Sequence, residues 1–342
     1  MSLRHRPSVV LSILSLCALL TFLLSACGSS TSNTTSTGSS SSSSTTALKD
    51  VSIGLGYIPD IQFAPFYVAQ SKGYYKDAGL NVTFNHGIVP DLIGSLVAGK
   101  SSFVFAGGDE LLVARSKNVQ AIDVATIFQK YPVSLIVPAN SSIKTLADLK
   151  GHTIGVPGPY GSTYTGLLAL LYKANLTLSD VKVQSIGFTQ VPALMSNKVD
   201  AVMGYSNNEP LQLQKRGFAV RTFNVSDYQP LISNGIITTD DTYHNQPQMV
   251  KSFVQATLKG LKDVINNPTE AVTISKTYVP GMNVDQATSV LQATIPIWQS
   301  ANSQLGYNDS ATWSSMEQFL VAQKIIPPAQ NLAQAYTNQT VS

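Results

Sequence analysis

The stretch that decides the fold is residues 54–80, GLGYIPDIQFAPFYVAQSKGYYKDAGL. The apolar run that ends at Tyr57 predicts a buried strand, and Pro59 ends it because proline has no N–H to give to a sheet. The residues that follow have helical spacing and lead into another apolar run, so the stretch predicts a strand, a helix and a strand. In open α/β sheets the ligand binds beyond the carboxyl ends of the strands, and there we expect Tyr57, Asp60 and Phe63.

The same stretch resembles the opening of a known superfamily of bacterial solute-binding proteins. It has a Gly-Tyr strand end, a helix containing Ala, Pro and aromatic residues, then Gly-Tyr-Tyr, and Gly-Leu before a strand. This pattern is typical of the sulfonate-binding and thiamine-pyrimidine-precursor-binding proteins of ABC importers, and a looser likeness continues over residues 51–267. The resemblance implies an α/β, two-lobed periplasmic-binding-protein fold of type II, with a ligand cleft between lobes joined by a two-strand hinge. It also implies that an ABC permease and its ATPase are partners.

The length and composition favour two lobes and argue against a nucleic-acid partner. Charged residues make up 12% of the 342 residues, and the net charge of +3 falls to +1 without Arg4 and Arg6. That charge is too small for a surface that follows phosphate groups. We predict that residues 47–137 begin the first lobe, that residues 138–230 form the second, and that residues 231–342 return to the first. We expect a monomer without a cofactor.

The N-terminus predicts a lipoprotein signal peptide over residues 1–27. Two arginines precede an apolar run that is short for a membrane span, and Leu-Ser-Ala-Cys follows, which is a bacterial lipobox. Cys27 would become the acylated first residue, which anchors the protein in the cell membrane on its extracytoplasmic face. The other cysteine, Cys17, lies inside the apolar run, so the mature chain has no second thiol. The Ser- and Thr-rich residues 28–46 predict a flexible tether.

Aromatic and polar side chains gather at the predicted strand ends, and these are the candidate ligand-binding residues. Aromatic rings stack on flat rings, and carboxylates accept hydrogen bonds from ring N–H and amino groups, so the set fits a small heteroaromatic ligand. We predict no metal site because the four histidines lack metal-ligand spacing. Glu110 fits either a plain strand-to-helix turn or the site. The candidate residues are Tyr57, Asp60, Phe63, Asp109, Phe128, Pro159, Tyr160, Ser162, Thr163, Tyr205, Asn208 and Glu209.

A sulfonate- or nitrate-type anion is an alternative ligand because of one helix start. Ser162 or Thr163 is the predicted N-cap of a helix over residues 164–174, and the free N–H groups there suit an anion or a carbonyl oxygen. A receptor for such an anion usually also needs arginine, lysine or many N–H donors. The loops at the predicted strand ends contain no arginine.

The motif GYSNNEP, residues 204–210, is similar to one in receptors for pyrimidine precursors. The resemblance implies that Glu209 contacts an aminopyrimidine, although a glutamate in the first turn of a helix is favourable without any ligand. The leading prediction is a receptor for a thiamine aminopyrimidine precursor. Related riboflavin receptors have similar strand ends, which makes riboflavin an alternative. Eukaryotic pyrimidine synthases also resemble this chain, but they carry a cysteine-rich motif that it lacks, so we predict no enzymatic activity.

Overall fold

The computed structural model describes residues 47–299, 304–328 and 331–342. The predicted signal peptide, lipobox and tether lie outside this part of the chain. Within it, no helix is both long enough and apolar enough to cross a membrane.

Ten strands in the described residues build two sheets of five strands each. The strands are β1 (Lys49–Leu55), β2 (Leu80–His86), β3 (Phe103–Gly107), β4 (Ala121–Thr126), β5 (Val133–Pro138), β6 (Thr153–Val156), β7 (Lys182–Ser185), β8 (Ala201–Tyr205), β9 (Val220–Asn224) and β10 (Asn234–Thr239). The first sheet has the order β2-β1-β3-β10-β4, and the second has the order β7-β6-β8-β5-β9. In each sheet one strand, β10 or β5, runs antiparallel to both of its neighbours.

Helices follow most strands, as expected for an α/β fold. They are α1 (Ala64–Ser71), α2 (Tyr74–Asp77), α3 (Val89–Val97), α4 (Gly108–Arg115), α5 (Gly161–Lys173), α6 (Gln190–Met195), α7 (Glu209–Lys215), α8 (Asp240–Asn245), α9 (Pro247–Asn266), α10 (Pro268–Ser275), α11 (Val284–Trp298) and α12 (Ser310–Ala322). Short 3₁₀ helices cover Ile61–Phe63, Leu146–Leu149, Leu178–Asp180, Val225–Asp227 and Leu332–Gln334.

The opening stretch forms the predicted strand, helix and strand, and α9 holds it in place. Pro65 lies in the first turn of α1, where its missing N–H needs no partner. A Cβ atom on Gly260 of α9 would lie 2.3 Å from the carbonyl oxygen of Pro65, so only glycine allows α1 and α9 to approach this closely. The rings of Phe103 in β3 and Phe253 in α9 stack with their centroids 4.2 Å apart. The first sheet and α9 therefore share one apolar core.

Two segments connect the sheets, and they lie at residues 127–132 and 225–233. The strands next to these segments each pair within one sheet, β5 within the second and β10 within the first. The predicted lobe boundary after residue 137 therefore falls at the end of a strand that already pairs with the second sheet. The lobe boundaries stay a prediction.

Candidate functional site

A cavity of about 90 Å³ lies where the carboxyl ends of strands from both sheets meet. From the first sheet, residues after β1, β2 and β4 line it, together with Phe105 of β3. From the second sheet, residues after β6, β7 and β8 line it. Asn234 also lines it, because β10 is antiparallel and its first residue pairs with Gly107 at the end of β3. The cavity thus occupies the place where open α/β sheets bind ligands.

Nine of the twelve candidate residues line this cavity, and three do not. Their role in ligand binding stays a prediction. Those that line it are Tyr57, Phe63, Phe128, Tyr160, Ser162, Thr163, Tyr205, Asn208 and Glu209. Those outside its lining are Asp60, Asp109 and Pro159.

Asp60 has a local structural role instead of a place in the lining. It is the N-cap of the 3₁₀ helix Ile61–Phe63, and its Oδ1 accepts a hydrogen bond of 3.0 Å from the backbone N–H of Gln62. A side chain that caps a helix in this way turns toward the backbone. The cap thus uses Oδ1 of Asp60 locally, while Gln62 and Phe63 line the cavity.

Asp109 is fully buried between α4 and α5. Its Oδ1 accepts a hydrogen bond of 3.0 Å from the Oγ of Ser162, and its Oδ2 has no hydrogen-bond partner among the described residues. Burial raises the pKa of this carboxyl. Ser162 is not the N-cap that the sequence predicts, because α5 begins at Gly161 and Tyr160 holds the N-cap position without a side-chain hydrogen bond. The Ser162 hydroxyl instead bonds to the carboxyl of Asp109, which follows β3 of the first sheet.

Glu110 lines the cavity, although it is absent from the candidate set. Its Oε2 accepts a hydrogen bond of 2.9 Å from the backbone N–H of Gly107. Its Oε1 lies near the start of α5, where a Cβ atom on Gly161 would be 3.3 Å away. Burial, and then the nearby charge of Asp109, raise the pKa of Glu110 to about 8. The sequence leaves two roles open for Glu110, a strand-to-helix turn or a place in the site. In the structure its side chain bonds within the turn and also lines the cavity.

Glu209 also combines a structural contact with a place in the lining. It is the first residue of α7, and its Oε2 accepts a hydrogen bond of 2.7 Å from the backbone N–H of Tyr205. Burial raises the pKa of its carboxyl to about 7. Near neutral pH this carboxyl can therefore be present in either form, as an acceptor or as a donor.

Aromatic rings form much of the cavity wall. Phe105 lies between two other rings of the lining, with centroids 6.0 Å from Phe63 and 6.0 Å from Phe128. Tyr57, which follows β1 of the first sheet, contacts Phe188, which follows β7 of the second sheet. The two rings meet edge to face, with centroids 4.8 Å apart. Such walls favour a flat, apolar ring system over a compact ion.

The cavity is acidic and has no basic side chain. None of its lining residues, all of which lie in the described part of the chain, is Lys, Arg or His. The start of α5 does face the cavity, but the carboxyls of Asp109 and Glu110 lie beside it. An anion at this helix start would therefore lie next to two acidic side chains. Among the described residues, no group of three His, Cys, Asp or Glu side chains could hold a metal ion.

The sequence-based reasoning misses several lining residues, and two of them follow a strand that the sequence does not reveal. Phe188 and Gln190 follow β7, an exposed edge strand with the polar sequence KVQS. Recognising that strand would have pointed to them. The lining residues outside the candidate set include Gln62, Phe105, Glu110, Phe188, Gln190 and Asn234.

Comparisons with known proteins find similar sequences over most of the chain. The family model described as NMT1/THI5 like matches residues 60–271. The riboflavin-binding protein RibY of Chloroflexus aurantiacus is 36% identical over 303 residues, which covers 86% of each chain. The formylaminopyrimidine-binding protein of Halalkalibacterium halodurans is 26% identical and is covered to 86%, against 81% of this chain.

Solved structures show the fold. The periplasmic aliphatic sulphonate binding protein SsuA of Escherichia coli matches 84% of this chain and 96% of its own, with a TM-score of 0.70 and 15% identity. At this identity the likeness concerns the fold and not the ligand. The predicted periplasmic-binding-protein fold is thus confirmed.

Proposed function

This chain belongs to the NMT1/THI5-like family, and from that premise we propose that it is the solute-binding protein of an ABC importer for a neutral heteroaromatic compound. The relatives named above as similar over most of the chain are binding proteins, and the partners would be an ABC permease and its ATPase. We further propose that it is not a pyrimidine synthase, because a cysteine-rich motif cannot be built from Cys17 and Cys27.

The observation that carries this proposal is the combination of aromatic walls and two carboxyls without a basic side chain. A neutral ring that bears N–H or amino groups can stack on the walls and donate to Glu209 or Glu110. A sulfonate would find no cationic side chain in the lining, and the ionised form of either carboxyl would repel it, which is unfavourable. The cavity therefore favours a heteroaromatic ligand over the anion that the sequence left open.

Riboflavin is the first candidate ligand. The relative that is 36% identical is named a riboflavin-binding protein, and it covers 86% of this chain. The flavin ring is flat and uncharged, so it can pack between aromatic side chains. Its imide N–H can donate a hydrogen bond to the carboxyl of Glu209.

A thiamine aminopyrimidine precursor is the second candidate. The relative that is 26% identical is named for a formylaminopyrimidine. The predicted contact between Glu209 and an amino group supports the same ligand.

The predicted lipobox gives the proposed location. Acylation of Cys27 would fix the protein to the cell membrane on its extracytoplasmic face, and residues 28–46 would give it reach. A receptor held there meets the solute before the permease does.

Calorimetric titration with riboflavin, an aminopyrimidine and an alkyl sulfonate tests the function. We expect one of the two heteroaromatic ligands to bind with one site per chain, and the sulfonate not to bind. Tyr57→Ala should weaken that binding about tenfold or more, because a lining ring is lost. Tyr228→Ala, a tyrosine outside the lining that is 39% exposed, is the matched control and should bind normally. Tight binding of the sulfonate alone would contradict the proposal.

A further inference from the structure

A chain of buried side-chain hydrogen bonds leads from α11 to the cavity. Its central residue is Asn207, which follows β8 of the second sheet. The Nδ2 of Asn207 donates a hydrogen bond of 2.7 Å to Oγ1 of Thr294 on α11 and one of 2.8 Å to Oε1 of Gln62. Gln62 follows β1 of the first sheet, and all three side chains are buried. Of these three residues, Gln62 lines the cavity.

Thr294 determines which way the amide of Asn207 faces. The Thr294 hydroxyl donates its hydrogen to the carbonyl oxygen of Val290, at 2.6 Å, so toward Asn207 it can only accept. The bonding pattern therefore assigns Nδ2 of Asn207 to the side that faces Thr294 and Gln62. Because Nδ2 is a donor, the amide of Gln62 must turn its oxygen toward Asn207. The nitrogen of Gln62, Nε2, is then the end that is left for other partners.

Nε2 of Gln62 carries two hydrogens, and Asp60 accounts for one of them. Burial raises the pKa of Asp60, and the backbone N–H and the side-chain amide of Gln62 both oppose this rise because they stabilise the carboxylate. For the second hydrogen the described residues provide no acceptor. A buried donor without an acceptor is unfavourable, and the cavity that Gln62 lines is where a ligand can supply one.

We propose that the side-chain amide of Gln62 donates a hydrogen bond to an acceptor atom of the ligand ring, and that Asn207 and Thr294 hold the amide in this orientation. The acceptor would be a carbonyl oxygen or a ring nitrogen. This inference rests on the proposed function and specifies its ligand further. Glu209, two residues after Asn207, also lines the cavity and accepts a ring N–H in that proposal. The ligand ring would thus carry an N–H group for Glu209 and an acceptor for Gln62.

Titration with two pairs of ligands at pH 8 tests the contact. Riboflavin is compared with its 2-thio and 4-thio analogues, in which sulfur, a weak acceptor, replaces one carbonyl oxygen. An aminopyrimidine is compared with the aniline that has the same substituents, which keeps the amino group and lacks the ring nitrogens. We expect riboflavin to bind about tenfold tighter than one thio analogue, or the aminopyrimidine about tenfold tighter than the aniline. The first result identifies a carbonyl oxygen as the acceptor, and the second identifies a ring nitrogen.

Gln62→Met removes the donor and keeps the length of the side chain. It should reduce this affinity ratio to about one, because the ligand with the better acceptor loses its advantage. A structural role of Gln62 would instead weaken both members of a pair equally. Gln292→Met is the matched control, because Gln292 is an exposed glutamine on α11 and outside the lining, and it should keep the ratio.

Thr294→Val tests the positioning of the amide from outside the cavity. Without the hydroxyl, the amide of Asn207 can turn over and Gln62 can present its oxygen to the ligand, so the ratio should fall to about threefold. Thr288→Val is the control on the same helix, because the Thr288 hydroxyl makes the same kind of bond to the carbonyl of Val284 and Thr288 lies outside the lining. It should keep the full ratio.

The outcomes separate this contact from the function. A ratio of one in the unmodified protein, or an unchanged ratio in Gln62→Met, overturns the contact and leaves the proposed function standing. An unchanged ratio in Thr294→Val overturns the positioning role of Asn207 and Thr294. If Gln62→Met does not fold, Thr294→Val decides for the contact as well. If neither riboflavin nor the aminopyrimidine binds the unmodified protein, both the proposed function and the contact are wrong.

Discussion

The Oγ of Ser162 donates a hydrogen bond of 3.0 Å to Oδ1 of Asp109, and both side chains are buried. Asp109 lies on α4, directly after β3 of the first sheet, and Ser162 lies in the first turn of α5, which follows β6 of the second sheet. A second bond runs from the Tyr205 hydroxyl to Oδ1 of Asn234, at 3.1 Å. These bonds hold the two sheets together around the cavity.

We predict that Ser162→Ala weakens ligand binding and opens the cleft. The substitution leaves Oδ1 of Asp109 without its partner in a buried place, which costs about 1–3 kcal/mol. That cost falls only on the conformation in which α4 and α5 are in contact, so an open conformation gains population. Titration should show roughly five- to hundredfold lower affinity, and small-angle scattering a larger radius of gyration without ligand.

Ser289→Ala is the control for that variant, because Ser289 is an exposed serine on α11. It should change neither the affinity nor the scattering. A Ser162→Ala protein with normal affinity and an unchanged radius of gyration would show that the bond does not control the cleft.

Because the carboxyl of Asp123 is buried, we expect the protein to lose stability as the pH rises. This carboxyl is fully buried in β4, where Oδ1 accepts a hydrogen bond of 3.2 Å from Nδ2 of Asn308. Burial raises its pKa from 3.8 to about 7. Between these values the folded protein holds a proton that the unfolded chain releases, so the free energy of unfolding falls as the pH rises, and most of the loss is complete above pH 7.

Denaturant unfolding at pH 5 and pH 8 measures this effect. Asp123→Asn keeps the shape and cannot ionise, so the difference between the two pH values should shrink by a few kcal/mol. Glu110 and Glu209 have pKa values raised in the same direction, so a smaller pH dependence should remain. An equal pH dependence in Asp123→Asn and the unmodified protein would rule out this role for Asp123.

We predict that Cys27 attaches the protein to the membrane. It is the one cysteine that follows the lipobox residues, so Cys27→Ser should lose acyl label and leave the membrane fraction. Cys17→Ser, inside the apolar run, is the matched control and should stay acylated and membrane-bound. Acyl label that persists in Cys27→Ser would contradict the lipobox.

Local signals explain how much of the fold the sequence predicts. Residues 54–80 contain their own strand, stop and helix signals, so β1, α1 and β2 follow from the segment itself. The strand-end rule then finds Tyr57, Phe128 and Tyr205, because it depends on topology and not on packing. Segments with a clear apolar run are therefore predictable together with the residues that follow them.

Long-range packing explains what the sequence does not predict. Asp109 and Glu110 are neighbours on one helix and point in directions about 100° apart, and the position of α5 decides which of them reaches the cavity. Asn234 lines the cavity because β10 pairs with β3 across more than a hundred residues of chain, a register that no local pattern encodes. Ser162 likewise is a residue type that commonly caps helices, but its hydroxyl donates a hydrogen bond to a carboxyl from the other side of the cleft.

Because Glu209 lines the cavity, we predict that ligand affinity rises with pH. Its pKa of about 7 in the empty cavity means that it is mostly protonated at pH 6 and mostly ionised at pH 8. A ring N–H that donates to the carboxylate favours the ionised form, so titration should show about tenfold tighter binding at pH 8 than at pH 6. Glu209→Gln should bind more weakly, by about 1.5–3 kcal/mol at pH 8, and lose this pH dependence. Glu317→Gln is the control, because Glu317 lies on α12 and outside the lining, and this variant should keep the pH dependence. An anionic ligand would show the opposite sign, because ionised Glu209 repels it, and a flat profile in the unmodified protein would remove Glu209 from the binding site.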